Sequence, residues 1–273
     1  AGYISLDAAG MTLTPQAEPI VQAAHEISRA MRGLAALESS LSRALDIPRV
    51  VVVPGDADRD DHVLQDIGRA AAQRVRALLS DHSILALTGG NTIAAVAHAL
   101  QPASPLMNLL VLPARGGMGR AVETQAGTLA AEFARKLGGH YRLLHLPDQL
   151  EEAAREEILK IPEVLLHGIG CANEMARHRH LPAEVQAQLR QDGAVAEAFG
   201  YFFDIEGHPV YEASCMGMDI ASLTHIHTMV AVAAGTHKAA AMLAVLRHNH
   251  HEMLVTDEGA ARAILSLIGM KTN

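Results

Sequence analysis

Four short segments combine glycine with a residue able to hold an anion. In Thr88-Gly89-Gly90-Asn91-Thr92 the glycines bare backbone N–H groups, two hydroxyls can donate, and a helical stretch with a positive N-terminal end follows. Such a turn suits a phosphate; it is equally a glycine turn with Asn91 as a helix cap. In Pro113-Ala114-Arg115-Gly116-Gly117-Met118-Gly119-Arg120 a guanidinium sits beside flexible backbone, the geometry of bidentate phosphate recognition or of a surface ion pair. Gln125, about one turn into the next helix, is expected to reach the same cavity with its amide. Gly235-Thr236-His237-Lys238 supplies an ammonium as a phosphate point charge or a solvated first-turn lysine.

The fourth segment, His167-Gly168-Ile169-Gly170-Cys171-Ala172-Asn173, approaches a dinucleotide fingerprint, but Asn173 stands where the third glycine belongs. The acidic partner would have to be Asp192, placed in an Asp-Gly turn after a helix, so no nicotinamide or other cofactor is expected. Catalytic patterns are absent: no GxxxxGK[ST], G-x-S-x-G or HExxH occurs. Glu197, Asp257 and Glu258 are carboxylates suited to work on sugar hydroxyls or to capping and pairing, Asp257 reading best as the cap of the last helix. Among 16 histidines, His178/His180, His225/His227 and His248/His250/His251 cluster, but neighbours at these spacings point to different helix faces. They read as a solvated, pH-sensitive surface, and no metal is expected.

The elements that must position these turns are legible from periodicity. Short apolar runs at Val50–Val53, Ile84–Leu87, Leu109–Leu112, Tyr141–Leu146, Val164–Ile169, Met229–Ala233 and Met253–Thr256 each enter a turn and then a helical stretch. Near-continuous apolar strands with intervening helices predict an α/β fold, a mostly parallel Rossmann-like sheet covered on both faces. In such a sheet ligands bind beyond the carboxyl ends of strands, where these turns fall. A hairpin is expected from Phe199–Phe203 and Pro209–Ala213, and a smaller one from Tyr3–Leu6 and Met11–Leu13. From Pro15 to about Leu45, Ile20, Ala24, Ile27, Met31, Leu34, Leu41 and Leu45 predict one long helix, either an amphipathic or coiled-coil seam or a core-packed helix.

Composition narrows the function classes. The 22 basic and 30 acidic residues give a net charge of -8, a poor match to a phosphodiester backbone. Aromatic residues are 3% of the chain, which rules out a base-stacking platform. Two cysteines, Cys171 and Cys215, suit a reducing cytoplasm, and no apolar run approaches the ~20 residues of a membrane helix.

The segments Leu87-Thr88-Gly89-Gly90, Val111-Leu112-Pro113-Ala114-Arg115-Gly116-Gly117, Tyr141-Arg142-Leu143-Leu144, Leu166-His167-Gly168-Ile169-Gly170, Ala198-Phe199-Gly200-Tyr201 and Val255-Thr256-Asp257-Glu258-Gly259-Ala260, in this order, resemble the sugar-binding domain of SorC/DeoR-type bacterial regulators. The resemblance runs from about Met11 to Leu267 and is strongest to members that control glycolytic genes. It implies a repressor whose effector domain has a fold related to sugar-phosphate isomerases. Residues 1–14 would then be a remnant of the winged helix-turn-helix domain, 15–47 a linker or dimerisation helix, and 48–273 the effector domain. Operator DNA would be met only through the absent amino-terminal domain. The resemblance also implies fructose 1,6-bisphosphate as inducer, one phosphate held by Asn91, Thr92 and the Gly89-Gly90 backbone, and a cavity lined by Arg115, Gly116, Gly117 and Gln125. Arg179, Glu197 and Lys238 fall at further family contacts, with Thr88, Gly235 and His237 beside them. Where Asn91 and His237 stand, the family more often has Thr and a small hydroxyl.

The expectation is therefore a cytoplasmic, non-enzymatic sensor, a homodimer or higher oligomer, whose DNA binding is modulated by a phosphorylated sugar. Its rivals are a sugar-phosphate isomerase or deaminase with Glu197 or Asp257 as general base, and a plain dimerisation module.

Overall fold

The computed structural model describes residues 2–7, 10–102, 104–115, 122–143, 162–213, 218 and 220–270. Its centre is a parallel seven-stranded sheet of β3 (Arg49–Val53), β4 (Ile84–Leu87), β5 (Leu110–Pro113), β6 (His140–Tyr141), β7 (Val164–His167), β12 (Thr228–Val232) and β13 (Met253–Asp257), in the order β3-β13-β12-β7-β4-β5-β6. The apolar runs become strands because both faces are buried. Along β7, Leu165 faces one core while Val164 and Leu166 face the other; along β12, Ala231 is set against Val230 and Val232 in the same way. One face is covered by α3 (Asp61–Leu78), α4 (Asn91–Ala99) and α5 (Ala126–Leu137). The other carries α2 (Leu34–Leu45), α9 (Ala239–His248) and α10 (Glu258–Leu267).

The run expected at Tyr141–Leu146 pairs as strand only at His140–Tyr141; residues 144–146 lie outside the described residues. The hairpin of β10 (Tyr201–Phe203) and β11 (Pro209–Glu212) forms as expected. It belongs to a larger antiparallel sheet, β11-β10-β9-β8, with β9 at Ala196–Ala198 and β8 at Gly170–Cys171. Between β8 and β9 run α6 (Ala172–His178) and α7 (Ala183–Gln191); α8 is the single turn Ile220–Leu223. The small amino-terminal hairpin is β1 (Ile4–Asp7) with β2 (Gly10–Leu13).

The single helix expected from Pro15 to Leu45 is two helices. α1 (Glu18–Met31) ends at Arg32, and Gly33, with a left-handed backbone (φ 66°), starts α2 in a new direction. Leu34, Leu37 and Leu41 on α2 are buried in the core, whereas Ile20, Ile27 and Met31 on α1 are exposed. The periodic seam thus divides between a core face and a bare face. Arg29 of α1 donates to the Val52 carbonyl and pairs with Glu38, which in turn accepts the Val52 N–H. These two side chains occupy backbone groups of the edge strand β3 that would otherwise present an open pairing edge.

Candidate functional site

The glycine-bearing turns follow strands of the parallel sheet and so fall at its carboxyl edge. The chain adds β5 and β6 on one side of β4 and then returns to place β7 on the other, so the topology reverses between β4 and β7. At that switch point the Gly168 N–H donates to Thr88 Oγ1 (3.1 Å), and the Thr88 N–H donates to the Leu166 carbonyl. Two glycine-bearing loops are therefore tied together at the switch-point crevice, the place where open α/β sheets bind ligands.

Gly90 has φ 113° and ψ 162°, a conformation close to glycine-only, and is the residue preceding α4. Asn91 is the first helical residue rather than the cap, and among the described residues no side chain caps this end. Its leading N–H groups and the positive helix end face the crevice. Thr92 follows in the first turn. The Gly90 N–H donates to the Thr124 carbonyl (2.9 Å), and a Cβ on Gly89 would lie 2.5 Å from that same oxygen. Gln125 precedes α5 instead of lying one turn within it, yet its backbone abuts Gly89, so it borders the same turn. A Cβ on Gly90 would meet nothing, so Gly90→Ala is expected to cost only the strained backbone, about 1–3 kcal/mol, read as a lowered urea midpoint at unchanged slope.

Arg115 does not make the surface ion pair considered above. It is 4% exposed, and its Nη1 donates to Glu197 Oε1 at 3.0 Å. The same oxygen accepts from Arg179 Nη2 at 2.5 Å and from the Gly200 N–H at 2.8 Å. Two buried guanidiniums thus share one buried carboxylate, and the buried Arg179 Nε has no hydrogen-bond partner among the described residues. Gly116 and Gly117, like Met118, Gly119 and Arg120, lie outside the described residues.

On the other side of β7, after β12, the Gly235–Lys238 loop is held by acids that the sequence pattern does not single out. Asp56 accepts from Thr236 N and Oγ1, and Asp58 accepts the His237 N–H and contacts His237 Nδ1 at 2.5 Å. Asp56 is held below the ordinary carboxylate range by the Asp58 and Thr236 amides and the Thr236 hydroxyl, against the opposing effect of desolvation. Their only signal was a Gly55-Asp56-Ala57-Asp58 turn after an apolar run. Asp257, fully buried, caps α10 as expected and also receives the N–H groups of Ala57 and Gly235. Burial pushes its carboxyl above the ordinary range while those three amides pull the other way. Lys238 makes no ion pair among the described residues, and its ammonium lies close enough to Cys171 to lower the thiol's pKa against burial, which raises it.

The predicted site residues therefore form three groups along one edge: Thr88–Thr92 with Gln125, the Arg115–Glu197–Arg179 cluster, and Gly235–Lys238. The profile of the Sugar-bind family of sugar-binding domains matches residues 29–266. The Central glycolytic genes regulator of Bacillus subtilis is 38% identical over 94% of this chain and 79% of its own length. That of Priestia megaterium is 36% identical over 96% and 80%. The chain belongs to the sugar-binding domain family of SorC/DeoR-type transcriptional regulators. A crystal structure of a SorC family regulator from Enterococcus faecalis, 36% identical, superposes with a TM-score of 0.74 over 84% of this chain and 99% of that one. Family membership makes this chain part of a transcriptional regulator with a sugar-binding domain. No helix among the described residues is long and apolar enough to cross a membrane.

Proposed function

We propose that the carboxyl-edge crevice binds a phosphorylated sugar and that the chain is the effector-sensing part of a repressor of glycolytic genes. The observation that carries this reading is the Thr88-Gly89-Gly90 turn at the switch point, opening onto a helix end that no described side chain caps. One phosphate sits on this turn, with Asn91 and Thr92 at the helix start. The Arg179 guanidinium, whose buried Nε has no hydrogen-bond partner among the described residues, and the ammonium of Lys238 provide for a second anionic group. Fructose 1,6-bisphosphate is the first candidate, because two relatives of 36–38% identity are named for central glycolytic genes and a bisphosphate matches anion sites separated along one edge.

The isomerase or deaminase reading has less support. Glu197 is engaged by two guanidiniums and Asp257 by three backbone amides, so both candidate bases serve to hold loops in place. Sensing is coupled to assembly: the exposed Ile20, Ile27 and Met31 of α1 form the face on which a second copy packs, and the ligand acts through its differential affinity for two arrangements. DNA is contacted through a separate amino-terminal domain.

Calorimetric titration with fructose 1,6-bisphosphate, beside fructose 6-phosphate, glucose 6-phosphate, dihydroxyacetone phosphate and fructose, tests this, with sedimentation of each mixture and an assay for turnover. The bisphosphate is expected to bind without conversion, and Lys238→Ala to weaken it by about 1.5–3 kcal/mol, the value of a hydrogen bond to a charged group. Conversion of a sugar phosphate would establish an enzyme, and silence across the panel would remove the sugar-phosphate assignment.

A further inference from the structure

Among the described residues, the histidine clusters visible in the sequence are not where potential metal ligands converge. Cys171, Glu174 and His237 do converge: Sγ, a carboxylate oxygen and a ring nitrogen lie within 4.8 Å of one another, with Glu174 Oε1 3.9 Å from His237 Nε2. Cys171 is the residue before α6 and Glu174 lies in that helix's first turn, three positions on, so both project from one helix face. His237 approaches from the Gly235–Lys238 loop.

A second observation fixes the imidazole. Asp58 Oδ1 contacts Nδ1 at 2.5 Å and Oδ2 accepts the His237 backbone N–H at 2.8 Å, so ring and main chain are gripped by one carboxylate. Asp58 thereby places the proton on Nδ1 and leaves the Nε2 lone pair directed toward Cys171 and Glu174. This is the carboxylate–histidine arrangement that orients imidazole ligands on zinc.

We propose that Cys171, Glu174 and His237 bind a divalent transition-metal ion, zinc fitting best, with the fourth position left to water or an anion. A thiolate, an imidazole and one carboxylate are the ligand set of a four-coordinate zinc centre and a poor set for magnesium or calcium, which take oxygen ligands. Bonds of about 2.0–2.3 Å put tetrahedral ligands roughly 3.3–3.8 Å apart, so side-chain rotation closes the present spacing. Binding displaces the Cys171 thiol proton to solvent and leaves the metal's oxidation state unchanged. The site adjoins Lys238 but requires no sugar, so its test is independent of the effector reading.

The test is titration of the reduced chain with cobalt(II) in the absence of any sugar, followed by competition with zinc. One cobalt per chain is expected to give the thiolate-to-cobalt charge-transfer absorption and intense d–d bands of four-coordinate cobalt, both lost on adding zinc. Cys171→Ser is expected to abolish the charge-transfer band, Asp58→Asn to weaken binding 10- to 100-fold, and Cys215→Ser to change neither, all with unaltered circular dichroism. Weak six-coordinate spectra without a thiolate band, a band that persists in Cys171→Ser, or one lost in Cys215→Ser would each overturn the proposal.

Discussion

Glu197→Ala is expected to destabilise the fold by about 3–5 kcal/mol, the loss that follows when one partner of a buried ion pair is removed. The carboxylate is 5% exposed and its Oε1 receives Arg115, Arg179 and the Gly200 amide. Deleting it removes the carboxylate that both guanidiniums share, so desolvation that it offset is no longer compensated and the repulsion between the two cations is less screened. Glu197→Gln keeps the volume and an acceptor oxygen and should lose less. Urea unfolding followed by circular dichroism measures both, with the midpoint lowered at unchanged slope. Sulfate in the buffer should recover part of the Glu197→Ala loss by taking the place of the deleted carboxylate in the native state alone. A deficit under 1 kcal/mol would show that the Glu197 carboxylate is not the group that compensates the two guanidiniums.

That cluster marks the boundary of what the sequence discloses. Strands buried on both faces declare themselves as apolar runs, and glycine-bearing turns after them are local features, so the parallel sheet and the Thr88–Gly90 and Gly235–Lys238 loops were readable. The Arg115–Glu197 pair joins residues 82 positions apart, and no local pattern distinguishes it from two separate surface charges. The same holds for Asp58 and His237, 179 positions apart, which meet because β3 and β12 both flank β13 and their loops emerge on one edge. The 15–47 segment failed differently. Its heptad-like spacing continues across Gly33, so periodicity gives no sign of a break; which half is buried depends on the sheet that α2 meets and α1 does not. Gln125 was misplaced by about a turn, because the short 3-10 segment Val122–Thr124 delays the start of α5.

Acidification from pH 7 to pH 4 is expected to remove about 3 kcal/mol of stability through His251 alone. His167 and His251 are fully buried, their Nε2 atoms 3.0 Å apart, with His251 Nδ1 2.8 Å from the Asn249 carbonyl and His167 Nδ1 3.2 Å from that of Gly168. Satisfying all three contacts takes three protons, whereas two neutral imidazoles hold two. The neutral arrangement puts one proton on His251 Nδ1 toward Asn249 and one on His167 Nε2 toward its partner, leaving the longest contact unmade. A third proton would charge a pair packed against the Phe199 ring, 4.5 Å from that of His167. Burial therefore pushes His251 down to about 4, with His248 and His250 adding repulsion, and drives His167 well below its usual value. Between pH 6.5 and 4 the unfolded chain binds a proton that the folded chain refuses, so stability is full above 6.5 and falls with pH through that window. A displacement of about 2.5 units at roughly 1.4 kcal/mol per unit gives the stated loss. Urea midpoints against pH, compared between the native chain and His251→Leu, isolate this contribution from the carboxylates titrating in the same range. The variant should show the shallower profile, and parallel profiles would mean that the pair is protonated in the folded state. Because His167 immediately precedes Gly168, whose amide donates to Thr88 Oγ1 at the switch point, charging of this pair is expected to loosen that hydrogen bond as well.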